Sequence, residues 1–328
     1  MRPLLLALLW LWSAATIAQP APGWYDDRPF DAAGTTRYFR YFVPATVAPA
    51  PALMILLHGG GSSMREVVDR NPAGTWLDVA EDDGFVLLLP NGVNVETGDA
   101  FGDQQQWNDC RTEPGAATST ADDVGFIVAL AAWAVDTLGV DPDRIYVGGS
   151  SNGGMMSFRL ADEAPAPFAA IATFIANRPA NSECVETRRP VPMLVVVGTA
   201  DPLMPFAGGQ VASDRGLVLS ADETRDYWTV RNAVVGGAKR SELPDLDPDD
   251  GSRITREDFR AGPGDAPVAY LVMEGGGHAM PSILRQLSAF LERFLGPQNH
   301  DVEGPALAWD FLREHVRDSD RAFASGFE

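Results

Sequence analysis

The chain has 328 residues, 45% of them hydrophobic, and carries 25 Lys+Arg against 45 Asp+Glu for a formal charge of -20. That length and apolar content supply one large α/β domain with a substantial core. The acidic balance excludes nucleic acid as a partner, because phosphate recognition needs a basic surface, and it works against adhesion to anionic membranes.

Met1 and Arg2 precede an apolar run over residues 4–12 and small residues up to Ala18. One positive charge, a short apolar core and a small-residue cleavage site describe a secretory signal peptide. Cleavage is expected after Ala18, leaving Gln19 first, with Ala15 as the alternative. The run is too short for a comfortable membrane span, and no later stretch is apolar enough for one. Residues 19–328 are expected as a single exported catalytic domain with a short polar tail, secreted to the exterior or the periplasm and off the membrane once the signal is removed. The two cysteines, Cys110 and Cys184, are expected to form a disulfide in that oxidising compartment.

Residues 37–43 alternate and end at Pro44, as an edge strand would. Residues 53–57 are continuously apolar, which suits a strand buried on both faces, and they run into His58-Gly59-Gly60-Gly61. Helical spacing follows over residues 64–80, then a buried strand over 85–89. A loop rich in Gly, Asp and Gln carries Trp107 and Cys110. Residues 122–138 read as a helix with Gly139 as its stop. Further strands are expected at 168–175, 193–197 and 268–273, with helices at 221–232, 283–295 and 305–316. Residues 243–251 read as an acidic, solvated turn. Strands alternating with helices imply a mostly parallel sheet covered on both faces, with ligands at the carboxyl ends of its strands.

The strand–turn–helix over residues 144–156 contains G-x-S-x-G at Gly149, Ser151 and Gly153. In a nucleophile elbow the serine sits on a strained turn, and the residues two before and two after must lack a Cβ. Ser151 satisfies that rule. Ser150 is flanked at the same distances by Gly148 and Asn152 and fails it. Serine needs a base and the base needs a carboxylate. Among the four histidines, His278 stands directly after the last strand and three glycines, while His300 lies in the loop before the last helix, His315 in that helix, and His58 before a glycine run with a different use. Asp201, directly after the strand at 193–197, lies between serine and histidine in the chain order Ser, Asp, His. Its rivals Asp214, Asp222 and Asp226 lie in loop or helix, and Asp247, Asp249 and Asp250 in the hydrophilic turn. The glycines after His58 let backbone N–H groups face a developing oxyanion. One donor is expected from Asn152 and one from Gly60, with Gly61 the alternative. Trp107 is either a substrate wall or a packing residue beside Cys110. No cluster with metal-ligand spacing stands out, and neither metal nor cofactor is expected.

The runs LHGGGSS, DDVGFI, GGSSNGGMMS, GTADPLMPF and GGGHAMP resemble the secreted poly(3-hydroxybutyrate) depolymerase-like esterases, which are related to feruloyl and acetylxylan esterases on the α/β-hydrolase fold. The resemblance covers roughly residues 35–315. It implies Ser151 as nucleophile, Asp201 as acid and His278 as base, acting on hydroxyalkanoate oligoesters or polymer, or on feruloyl-type esters. Where that family has Trp-Pro after the histidine, this chain has Met280-Pro281, which makes Met280 a candidate substrate contact. An acetylxylan esterase or a serine peptidase on the same fold, and an exported binding protein with an inactive hydrolase fold, are the alternatives.

Overall fold

The computed structural model describes residues 20–69, 72–112, 118–263 and 265–317. The expected signal segment and the last residues of the polar tail lie outside them. Strands β1 (Gly23–Ala32), β2 (Thr35–Val43), β3 (Leu53–Leu57), β4 (Val86–Pro90), β5 (Ile145–Ser150), β6 (Ala170–Phe174) and β7 (Met193–Gly198) belong to a sheet of ten. A separate two-stranded ribbon, β8 (Gly209–Gln210) with β9 (Leu217–Val218), follows β7. The sheet is completed by β10 (Lys239–Glu242), β11 (Arg253–Phe259) and β12 (Val268–Glu274), in the order β1-β2-β4-β3-β5-β6-β7-β12-β11-β10. From β4 to β12 all neighbours are parallel, and an antiparallel pair flanks that block on each side.

The parallel block follows from composition. All five residues of β3 are buried. Leu53, Ile55 and Leu57 point into one core and Met54 and Leu56 into the other, as the period of two demands. The first core packs under the helices α3 (Asp123–Leu138), α4 (Asn152–Glu163) and α5 (Ala221–Arg231). The second packs under α2 (Trp76–Asp83) and α7 (Gly304–Leu312), where the Phe85 and Trp309 ring centroids stand 3.9 Å apart. The helices before and after β4, α2 and α3, lie on opposite faces, and the strand order reverses at β3, so the crevice at the carboxyl ends of β3 and β5 is the topological switch point, where such sheets bind ligands.

Several expectations change. The strand expected at an edge, β2, is interior, because β1 pairs along it. β1 carries Asp26, Asp27, Arg28 and Pro29, which masked it as a strand. It bulges between Tyr25 and Arg28, where the register against Tyr41 and Phe39 slips. The expected helix at 64–80 breaks into α1 (Glu66–Asp69), a 3₁₀ turn at Pro72–Thr75 and then α2, since Pro72 cannot continue a helix. The antiparallel pair β10–β11 was not expected. Its strands are polar, and the acidic turn at 243–251 is the hairpin that joins them. The helix expected at 283–295 forms only as α6 (Ala289–Leu295), which has no buried residue. Among the described residues no helix is long and apolar enough to cross a membrane.

Candidate active site

Ser151 links β5 to α4 with φ 54° and ψ -122°, while Ser150 is the last residue of the strand and pairs with Phe174. A non-glycine residue at that φ is strained and persists only where its surroundings hold it. The Ser151 N–H donates to Phe174 O (2.9 Å), and its carbonyl accepts from Met155 (2.9 Å). The glycine rule has a concrete cause. A Cβ on Gly149 would stand 2.5 Å from Leu57 O and 2.8 Å from the Gly153 carbonyl carbon. One on Gly153 would stand 2.5 Å from both the Leu57 and His58 oxygens. The turn is therefore pressed against the end of β3, and Ser151 remains half-buried with a side that reaches solvent.

That pressure brings the loop His58–Gly61 beside the serine. A Cβ on Gly59 would lie 3.8 Å from Ser151 Cβ, and one on Gly60 3.4 Å from Asn152 Cβ. Asn152 opens α4, so its N–H has no partner within the helix. Gly60 N–H has no hydrogen-bond partner among the described residues. Gly61 N–H, the alternative donor in the sequence, is taken: it donates to Gln105 O (2.8 Å).

His58 is a fully buried strut. Gly92 N–H donates to its Nε2 (3.0 Å), so Nδ1 carries the proton and donates to Gly59 O (2.8 Å). Burial lowers its pKa from 6.5 to about 4, which keeps the ring neutral. The Asn152 side chain ties α4 to the long loop. Its Oδ1 accepts from Trp107 N (2.8 Å), and its Nδ2 donates to Asp109 Oδ2 (2.6 Å). Asp109 also accepts from Arg111 (Nε 3.0 Å and the guanidinium terminus 2.8 Å), and Arg111 reaches on to Arg215 O.

At the far side, His278 Nδ1 lies 2.7 Å from Asp201 Oδ2. The carboxylate accepts, so Nδ1 donates and the Nε2 lone pair is left for another proton. The other carboxylate oxygen, Oδ1, accepts from the N–H groups of Leu203 and Met204 (2.8 Å each), which fixes the acid against rotation. The two loops are clamped together. Ala200 N–H donates to Gly276 O (2.9 Å), and Gly275 N–H donates to Thr199 Oγ1 (2.8 Å). Ser151, Asp201 and His278 thus follow the carboxyl ends of β5, β7 and β12 on one rim of the sheet. A hydroxyl, an imidazole oriented by a carboxylate, and two unspent N–H groups are the parts of nucleophilic acyl transfer.

Trp107 is completely buried, its Nε1 donating to His58 O (2.9 Å), and of its two expected roles burial favours packing. Met280 is 2% exposed and belongs to the second core, so its side chain is spent on packing rather than offered to a ligand. Cys110 and Cys184 are bonded, with Cα atoms 5.4 Å apart. The acidic turn holds a grouping that spacing could not reveal. Asp247, Asp250 and His300 bring possible ligand atoms within 4.8 Å of one another. Hydrogen bonds inside the group, from His300 N to Asp250 (2.7 Å) and between His300 Nδ1 and Asp247 (3.1 Å), account for it as an anchor of the β10–β11 hairpin. Sequence reasoning missed Asp109, Arg111 and the side chain of Asn152, whose partnership spans 43 residues.

Residues 40–227, more than half of the chain, match the family described as Phospholipase/Carboxylesterase. NocK of Nocardia uniformis subsp. tsuyamanensis, to which an esterase activity is ascribed, is 29% identical over 260 residues, covering 76% of this chain and 72% of that one. Feruloyl esterase B of Talaromyces funiculosus is 27% identical over 206 residues, covering 62% of this chain and 49% of its own, so the chain spans about half the length of that relative. The solved acetyl xylan esterase from Aspergillus awamori superposes with a TM-score of 0.52 at 15% identity, covering 75% of this chain and 90% of that one, a likeness of fold alone. The α/β-hydrolase sheet, the strained Ser151 turn and the match over residues 40–227 converge: the chain belongs to the phospholipase/carboxylesterase family, and ester hydrolysis on the α/β-hydrolase fold is its chemistry.

Proposed function

We propose that the protein is an exported serine hydrolase of carboxylic esters working through an acyl-enzyme. Ser151 Oγ attacks the ester carbonyl while His278 Nε2 takes its proton. Asp201 holds the imidazole in the tautomer that accepts at Nε2 and stabilises the imidazolium that forms. The oxyanion accepts from Gly60 and Asn152 N–H, in an environment where fixed donors need no reorganisation. His278 then returns the proton to the departing alcohol. Water, deprotonated by the same imidazole, attacks the acyl carbonyl and releases the acid and Ser151.

The observation that carries this reading is the pairing of Ser151 at φ 54° with a buried His278–Asp201 hydrogen bond of 2.7 Å on the same rim. The acyl group is drawn from two kinds, feruloyl-type and hydroxyalkanoate. The names of the fungal relatives support the first, and the motif resemblance supports the second. The apolar N-terminal run and the disulfide support export. A turnover panel of methyl ferulate, hydroxybutyrate oligomers, acetylated xylan and p-nitrophenyl esters, run beside labelling by a fluorophosphonate, tests it. Labelling at Ser151 with turnover of at least one ester class is expected. No labelling and no turnover would leave an inactive fold.

A further inference from the structure

Gln106 stands out at the rim. The residue is 8% exposed. Its backbone is spent on Val93, with N–H to Val93 O (2.9 Å) and O from Val93 N–H (3.0 Å). Its carboxamide makes no hydrogen bond to any described residue, and neither of its polar atoms is sealed off from solvent. The residue is buried as a whole, and its polar atoms keep some contact with solvent. The side-chain amide lies against Gly60: a Cβ there would meet Gln106 Oε1 at 2.5 Å and Cδ at 3.3 Å, and Asn152 Cβ at 3.4 Å. The carboxamide thus borders Gly60, one of the two residues whose N–H is assigned to the oxyanion, on the side where the Asn152 Cβ also approaches. The neighbouring Gln105 shows the contrast. Its Nε2 donates to Asp99 O (2.9 Å) and Gly92 O (3.3 Å), so the loop takes up its amide N–H groups.

We infer that Gln106 is a specificity-determining residue that hydrogen-bonds the acyl group beside the scissile carbonyl and selects acyl chains bearing a hydroxyl or ester oxygen a few bonds from it. The inference rests on the ester-hydrolase reading above. A carboxamide has both donors and acceptors, so it pairs with either kind of oxygen. An alkyl chain seated there strips water from the amide and returns nothing, and a site built to hydrogen-bond its substrate discriminates against the analogue that lacks the group. No other described residue at this rim combines burial with an unpaired polar tip next to Gly60.

The test compares p-nitrophenyl 3-hydroxybutyrate with p-nitrophenyl 3-methylbutyrate, which differ by hydroxyl for methyl at one carbon. The ratio of their kcat/KM values is measured in the wild type and in Gln106→Leu. Loss of the amide should lower the ratio (hydroxy over methyl) by about ten-fold, whatever common factor the two rates share. A purely structural role would move both rates together and leave the ratio in place. A ratio within about two-fold of wild type overturns the inference. If Gln106→Leu does not fold, Gln106→Met keeps an unbranched stem without the amide and carries the same comparison. A wild-type protein inert on both esters and on the wider panel would overturn the ester-hydrolase reading itself, an outcome distinct from turnover with an unmoved ratio.

Discussion

Ser151→Ala removes the nucleophile and leaves the turn, since alanine fills no new space. Turnover should fall by several orders of magnitude with thermal unfolding unchanged. Ser150→Ala should be far milder, because Ser150 is a strand residue whose register with Phe174 is set by its backbone. Inactivity of the Ser150 variant alongside an active Ser151 variant would reverse the assignment. Asp201→Asn tests the tautomer. An amide retains the shape but presents an N–H to His278 Nδ1 in one orientation, so kcat should drop by about 10³–10⁴ with a small change in KM. His58 gives a stability prediction. Its native pKa of about 4 lies below the ordinary 6.5, so on acidification the unfolded chain takes up a proton before the native one does. That contribution is whole above pH 6.5 and is lost as the pH falls towards 4, roughly 3 kcal/mol in all. Urea unfolding at pH 7 and pH 4.5 should show the loss in wild type, and a smaller one in His58→Asn. At this scale Ser151, Asp201 and His278 were legible because Cβ exclusion and chain order are local properties. Gln106 and Asp109 were not, because what singles them out is a neighbour 43 to 46 residues away that only the fold supplies.

Elements whose hydrophobic pattern is dense were readable to within a residue or two. α3 begins after the Asp122 cap, whose side chain accepts from Gly125 N–H, and ends at Gly139 in the left-handed region. Elements whose pattern is polar were not. β1, β10 and β11 are specified by pairing with a neighbour rather than by burial, and periodicity carries no trace of that. The loop of residues 105–111 is held in a third way, by the disulfide. It joins this loop to the segment after β6, closing a span of 74 residues. Cys184→Ser should cost about 2–4 kcal/mol of stability. It should also lower kcat more than it raises KM, because Asn152, whose N–H we assign to the oxyanion, is tied by its side chain to Trp107 and Asp109 on that loop. Guanidinium unfolding and steady-state kinetics on the same variant would check both. A stable variant with unaltered kcat would show that the loop keeps its place without the bridge.

For the whole molecule, the charge of -20 is a cost as well as an aid to solubility. Like charges on a compact body repel, and salt screens them over about 8–10 Å at physiological strength. Raising sodium chloride from about 10 mM to 150 mM, where the screening length falls from about 30 Å to 8 Å, should therefore raise the melting temperature at pH 7.5. A flat or falling response would mean that paired charges such as Arg178–Asp162 and Arg231–Asp162 outweigh the net repulsion. The division of the core into two layers about one sheet could be read from the continuous apolar strands. The sheet's width could not, since β1, β10 and β11, three of the four flanking strands, are the polar elements.

Those flanking pairs also decide what the sheet cannot do. A row of unpaired amides is a template on which another chain can add strands without end. One rim here is β1, which bends at its bulge and places Pro29, without an N–H, on the ladder. The other is β10, four fully exposed residues of which three are Lys239, Arg240 and Glu242. A fibril would need a straight, dry, uncharged rim to begin from, and neither end offers one. Among the described residues the ladder stops at ten strands, and neither of its ends is shaped to start cross-β growth.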